Sequence, residues 1–352
     1  MKILITGVAG FAGYSIAKQL ADVNPKLEII GIDNLSRRGS DRTPPLIKAL
    51  GIPYFHGDIR SQSDIDALPS VDWVIDCAAN PSVLAGLNGN SSSRQLMEHN
   101  LIGTINLLEY CKRHKAGIIL LSTSRVYSAS ELSALPVKPS DDRFDLQDCD
   151  LNGITSLGIS EVFPTTAPLS LYGASKLASE TLILEYGECF DFPVWINRCG
   201  VLAGAGQFGK ADQGIFSFWI HSFKEKNALK YIGFDGTGHQ VRDALHPKDL
   251  IPLLTRQIHE PNWDAPKIVN VGGGIKNSMS LKQLSKWCEN RFGPNEVVSS
   301  LEKRPMDAPW IVMDSAVAQN AWNWNPRIGI NQILKEIADF ADQNPDWLKI
   351  SE

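Results

Sequence analysis

Tyr172 and Lys176, in the run Tyr172-Gly173-Ala174-Ser175-Lys176, stand four residues apart where a helical pattern begins. That spacing puts both side chains on one helix face. An ammonium beside a phenol favours the phenolate, so the pair predicts a tyrosine that titrates near enough to neutrality to act as a base. A packed tyrosine with a solvated lysine one turn on would read the same way. A second run, Leu121-Ser122-Thr123-Ser124-Arg125-Val126-Tyr127, closes an apolar stretch that reads as a strand. Hydroxyls at the carboxyl end of a strand in a doubly wound sheet point into the ligand crevice, where they can share a proton with a tyrosine. A polar exit from a strand uses the same residues.

The elements that would position these groups begin at the second residue. Lys2-Ile3-Leu4-Ile5-Thr6 reads as a strand, and Gly7, Gly10 and Gly13 follow before a helical pattern. In such a unit the first glycine permits a tight turn, the second lets backbone approach a pyrophosphate, and the third lets helix and strand pack. The phosphates then meet the positive end of the helix. Asp33 closes the next strand-like run, twenty positions after Gly13, placed to accept from a ribose diol. Its charge repels a 2′-phosphate, so the pattern favours NAD over NADP although Arg37 and Arg38 lie near.

Strand-like runs at 71–76 and 117–121 and a helical pattern at 101–112 continue the alternation that yields a parallel sheet covered on both faces. The fold class expected is α/β: a Rossmann-type doubly wound parallel sheet with a smaller C-terminal α/β substrate-binding region. Residues 1–195 form the NAD-binding part with the helix of Tyr172. Residues 196–352 mainly bind substrate, with segments returning to the sheet. Between residues 130 and 170 prolines, aspartates and serines break the pattern, and a long irregular stretch in a compact domain usually lines a site. The net charge of −5 and the scattered 34 basic residues point away from nucleic acid. No apolar run approaches a membrane span. The six cysteines form no CxxC pair and the seven histidines are dispersed, which predicts reduced thiols, a cytoplasmic protein and no metal site.

With His56-Gly57-Asp58-Ile59-Arg60 and Ala78-Ala79-Asn80 added, the chain resembles the extended short-chain dehydrogenase/reductase family over nearly its whole length. These are NAD-dependent sugar-nucleotide epimerases and dehydratases. The resemblance implies Thr123, Tyr172 and Lys176 as the catalytic triad, Thr123 because it lies four residues before Tyr127, and Lys176 also on the nicotinamide ribose. It implies a cofactor lining of Gly7, Gly10, Phe11, Ala12 and Gly13, then Asp33, Asn34, Ser36 and Arg37, with Asp58 and Ile59 at the adenine. Ala78, Ala79, Asn80, Asn100, Ser122 and Cys199 complete that lining. On the substrate side it implies Thr123, Arg242 and Arg304 on a diphosphate, Asp307 near the nucleotide ribose, and Gln213 on the nucleotide or sugar. Guanidinium forks match diphosphate oxygens, though surface salt bridges use the same residue types. The family pairs the helix of its tyrosine with a neighbour to dimerise. Leu177, Leu182, Ile183 and Leu184 would serve that contact or the core.

Dehydratases of the family carry Asp-Glu directly after the catalytic hydroxyl. Here Ser124 and Arg125 stand there, and neither supplies carboxylate chemistry. Reductases need an exchangeable, usually phosphorylated cofactor, which Asp33 disfavours. An epimerase needs only to remove a hydride and a proton and return the hydride to the other face. A closer likeness to the family's 2-epimerases of CDP-sugars, in the stretches 33–39, 208–214, 236–243 and 270–273, implies inversion at C2 through a keto-sugar. Inversion at C4 of a UDP- or GDP-sugar is the alternative. A non-catalytic NAD-binding sensor or scaffold is a third reading, which the intact triad argues against. The chain departs from the family pattern at Cys199-Gly200-Val201 and at Ser128.

Overall fold

A computed structural model describes residues 1–87 and 92–351. Its central sheet has seven strands: β1 (Lys2–Thr6), β2 (Glu28–Asp33), β3 (Tyr54–His56), β4 (Trp73–Asp76), β5 (Gly117–Thr123), β6 (Val194–Cys199) and β7 (Ile268–Val271). All pair in parallel, and across the sheet they run β7-β6-β5-β4-β1-β2-β3. The order reverses between β1 and β4. Loops leaving their carboxyl ends therefore part and open a crevice there, where such sheets take ligands.

Successive residues of a strand point to opposite faces. Ile3 and Ile5 share one core with Ile16 and Leu20 of α1 (Phe11–Val23), whereas Leu4 joins Leu107 and Leu108 of α2 (Gly103–His114) and Ile183 of α3 (Leu171–Phe190). Because both faces are covered, the strands are unbroken apolar runs. After β6 the chain builds a smaller lobe. Its four-stranded sheet comprises Val201–Leu202, Val241–Leu245, Ser278–Ser280 and Trp310–Ile311. Around this sheet α4 (Ile215–Glu225), α6 (Leu281–Phe292) and α7 (Ile330–Gln343) bury Trp219, Phe223, Leu284 and Ile337. Between them α5 (Ile251–His259) packs Leu253 and Leu254 on the α1 face, and β7 extends the central sheet. β6 spans residue 195, so the central sheet draws on chain from both sides of that position.

The stretch after residue 130 departs from expectation. It carries two short hairpins, Val137–Ser140 with Arg143–Leu146 and Ile154–Thr155 with Gly158–Ile159, and it lines no part of the main cavity. Leu132, Leu135, Ile159 and Phe163 bury with Tyr127, Val241 and Trp310 instead. Large apolar side chains scattered among the polar ones give this segment a core of its own to fill. No helix among the described residues is long and apolar enough to cross a membrane.

Candidate active site

A cavity of 1020 Å³ runs from the first glycine turn, past the end of β5, into the smaller lobe. At its first end Gly7 has φ +62°, a left-handed conformation that glycine adopts without steric cost. A Cβ on Gly13 would stand 2.2 Å from the Gly7 carbonyl oxygen, so only glycine lets α1 start against the turn. Gly10 caps α1 with no side chain, which leaves the N–H groups of the first turn to a ligand. Gly10, Phe11, Ala12 and Gly13 all line the cavity. Thr6 Oγ1 donates to Asp76 at 2.6 Å and accepts from the N–H groups of Cys77 and Ala78, each at 3.1 Å. This ties the end of β4 to the turn. The cradle fits a pyrophosphate.

Asp33 ends β2 and accepts from the N–H groups of Ala9 at 3.0 Å and Leu35 at 2.8 Å. Burial raises its carboxyl above the usual value, while these donors pull the other way. The carboxylate keeps acceptor capacity toward the cavity, where a ribose diol would lie. Asn34 and Ser36 line the wall beside it. Arg37, in the same lining, is engaged in part: its Nη1 donates to Gln213 Oε1 at 2.6 Å and its guanidinium lies 5.7 Å from the Phe208 ring centre. Asp33 thus gives the mouth a carboxylate that fits the ribose diol of NAD, with Arg37 and Arg38 also in the lining.

Two residues expected in the cofactor lining, Asp58 and Asn100, stand behind it. Asp58 holds Arg60 at 2.6 Å and accepts from Asn34 Nδ2 at 2.9 Å. Burial opposes its charge, but Arg60 and Asn34 keep its carboxyl well below the usual range. It fixes Asn34, while its neighbour Ile59 reaches the cavity. Asn100 accepts from Asn80 N at 2.8 Å and donates to Asn80 O at 3.2 Å and Ser175 Oγ at 3.0 Å. It thus braces Asn80, which lines the cavity with Ala78 and Ala79. Lys176 is buried and, among the described residues, its ammonium has no hydrogen-bond or ion-pair partner. Burial pushes the thiols of Cys77 and Cys199 up, the latter to about 12, and Lys176 opposes both shifts. Its charge therefore sits close to the ends of β4 and β6.

Thr123 and Tyr172 come together in the cavity wall with Cys199 and Ser122. Ser170 caps α3 by accepting from Gly173 N at 3.0 Å, so Tyr172 lies in the first turn. Burial pushes its phenol up to about 12; a hydrogen bond with Thr123 and the charge of Arg125 act downward, and Cys199 acts upward. Lys176, one turn on along α3, keeps its charge beside the same wall. Ser122 Oγ is diverted, donating to Glu180, which Arg198 holds in a buried ion pair at 2.7 Å. Of the two hydroxyls, Thr123 is the one left for chemistry.

At the far end Arg242, Arg304 and Asp307 line the same cavity. Arg242 Nη2 meets Asp307 Oδ1 at 2.8 Å, and burial lowers the Arg242 guanidinium, with Asp307 opposing and Arg304 reinforcing that shift. Gln213 also lines the cavity, with its carbonyl oxygen already taken by Arg37. Two features escaped the sequence reading. Arg125 projects into this space, and the only signal for it was a cation two residues past Thr123. Ser82 donates to Asp212 Oδ2 at 2.5 Å, which joins the loop after Asn80 to the segment carrying Gln213. No motif marks that pair.

The model of the NAD dependent epimerase/dehydratase family matches residues 3–272. The chain belongs to that family. It is an NAD-dependent enzyme of the nucleotide-sugar epimerases and dehydratases. A CDP-paratose 2-epimerase of Salmonella typhi is 29% identical over 97% of this chain and 99% of its own. A UDP-glucuronate 4-epimerase of Thermodesulfobacterium geofontis is 26% identical over 98% of each. Among solved structures, the UDP-glucuronic acid 4-epimerase of Bacillus cereus, in complex with UDP-glucuronic acid and NAD, superposes with a TM-score of 0.78. It is 24% identical over 97% of this chain and 99% of that one. These likenesses agree with the Rossmann-type sheet and with NAD as the cofactor.

Proposed function

We propose that this enzyme inverts C2 of the sugar of a nucleoside diphosphate sugar. The observation that carries the reading is the continuity of one cavity from the NAD cradle, through Thr123 and Tyr172, to Arg242, Arg304 and Asp307. A diphosphate held by the guanidinium forks would leave the attached sugar beside the tyrosine. Bound NAD supplies a hydride acceptor that also returns the hydride. Tyr172 takes the hydroxyl proton at its phenol oxygen, with Thr123 donating to the phenolate, and gives it back after the keto-sugar has turned its other face. Lys176 holds the nicotinamide ribose. Loss of water would need a carboxylic acid and a carboxylate at the positions of Ser124 and Arg125, and neither residue provides one.

C2 is favoured over C4 by the likeness to the Salmonella typhi protein along the full chain. The 4-epimerase reading draws on the Thermodesulfobacterium relative. Incubating the protein with CDP-, UDP- and GDP-sugars, without added cofactor, and following ring protons by NMR separates the two. Inversion at C2 is the expected result; inversion at C4 or no turnover would sink it. The same reading has the enzyme work in the cytoplasm as a homodimer packed through α2 and α3, on which Leu177, Leu182 and Leu184 are half-buried while Ile183 belongs to the core. Sedimentation should give twice the chain mass.

A further inference from the structure

Tyr172, Lys176 and Glu180 follow one another along a single face of α3, one helical turn apart. Lys176 and Glu180 are both buried, and a desolvated ammonium is drawn strongly to a desolvated carboxylate one turn away. Helical side chains lean toward the N-terminus, which turns Glu180 toward the turn of Lys176. Yet among the described residues the two form no ion pair, because the Glu180 carboxylate is saturated from elsewhere. Its Oε1 accepts from Ser122 Oγ at 2.5 Å and Arg198 Nε at 3.1 Å, and its Oε2 accepts from Arg198 Nη2 at 2.7 Å.

Arg198 is itself held without help from Lys176. Its Nη1 donates to Tyr127 Oη and to the Glu161 carbonyl oxygen, each at 3.4 Å, and its guanidinium lies 5.2 Å from the Tyr127 ring centre. Tyr127 Oη in turn donates to Asn270 Oδ1 at 2.6 Å. The two residues that occupy Glu180 come from β5, directly before Thr123, and from β6, directly before Cys199. We propose that Glu180 and Arg198 are positioning residues: Arg198, with Ser122, keeps the Glu180 carboxylate from pairing with Lys176 and so leaves that ammonium free for the nicotinamide ribose. This rests on the reading of Lys176 as a cofactor ligand. A buried ion pair that loses one partner leaves a charge that must find another, and for Glu180 the cation one turn away is Lys176.

The test follows the release of bound NAD, by exchange against labelled NAD, with calorimetric binding of CDP or UDP at the other end of the cavity as the control. Arg198→Met should speed NAD release at least about tenfold and leave nucleotide binding within about threefold. Adding Glu180→Gln removes the stray carboxylate and should bring release most of the way back. Lys176→Met should speed release when made alone and add nothing to Arg198→Met, where the ammonium is already engaged. Arg198→Gln is a second neutral variant in case the methionine chain fails to fold. An unchanged release rate in a folded neutral variant overturns the proposal. So does a further loss when Lys176→Met is added to it, a failure of Glu180→Gln to restore retention, or nucleotide binding that weakens in step with release. Wild-type release in Lys176→Met alone would sink the cofactor role of Lys176 itself, and the proposal with it. Failure of that reading and failure of the guard on Glu180 therefore give different results.

Discussion

The Arg125 carbonyl oxygen lies where a side chain on Gly173 would have to go, 2.1 Å from the position of its Cβ. One residue of the strand exit and one residue of the tyrosine helix therefore fix each other, and with them Thr123 and Tyr172.

Gly173→Ala must push α3 away from β5. Overpacking of this kind costs about 1–3 kcal/mol, so thermal unfolding should shift down by several degrees. Turnover should fall further than stability does, because Tyr172 moves relative to Thr123. A melting curve and steady-state rates on the same preparation check this; unchanged rates would show that the two hydroxyls tolerate the displacement.

Tyr172→Phe keeps the ring in its buried place and removes the oxygen. The variant should fold, retain NAD and lose turnover by at least ~10². Because the phenol alone is held up to about 12 by burial, the wild-type rate should climb with pH as the base form becomes populated. A rate that is flat from pH 6 to 10, or a Phe variant with normal turnover, would remove Tyr172 from proton transfer.

Burial pushes the Asp243 carboxyl up to about 6, against backbone N–H donors that include Gly274 and Met313. An unfolded aspartate titrates near ~3.9, so the folded chain binds the proton more tightly. Its contribution to stability is whole below about pH 4 and is lost as pH rises through 6. Asp243→Asn cannot ionise and still accepts from the same N–H groups. Urea unfolding should find it more stable than wild type at pH 7.5, by ~1–3 kcal/mol, with the difference shrinking toward pH 4. Equal differences at both pH values would contradict the shift.

The segment 207–214 closes part of the cavity wall, held by Ser82 to Asp212 and by Arg37 to Gln213. Each contact is worth ~1 kcal/mol, so Ser82→Ala combined with Arg37→Ala should speed the release of bound NAD about tenfold or more. Exchange against labelled NAD measures this directly. A release rate equal to that of wild type would mean that the strap does not gate the cofactor.

What could be read from the sequence was whatever depends on short spacing. Gly7, Gly10 and Gly13 act within a single turn, Tyr172 and Lys176 within one helical turn, and Asp33 at the end of its own strand. Less legible were the side chains whose hydrogen-bond partners no motif spacing shows. Asp58 turns its carboxylate to Arg60 and Asn34, and Ser122, although it stands in the cavity wall, gives its hydroxyl to Glu180. Arg125 was visible only as the absence of a carboxylate. Arg242, Arg304 and Asp307, which share the cavity with it, are brought in by the smaller lobe from far along the chain. The polar stretch after residue 130 hid four core side chains, because composition averages over the few residues that decide packing.

β6 and β7 enter the central sheet from beyond α3, and β7 only after α4 and two strands of the smaller lobe have been laid down. An emerging chain that ends at α3 would leave β5, the strand that delivers Thr123, as an open edge ready to pair with a neighbour. The part that grips the nucleotide and the part that grips the dinucleotide are thus not independent folding units. A ligand seated against Arg242 should raise the melting temperature of the glycine turn at the far end of the molecule.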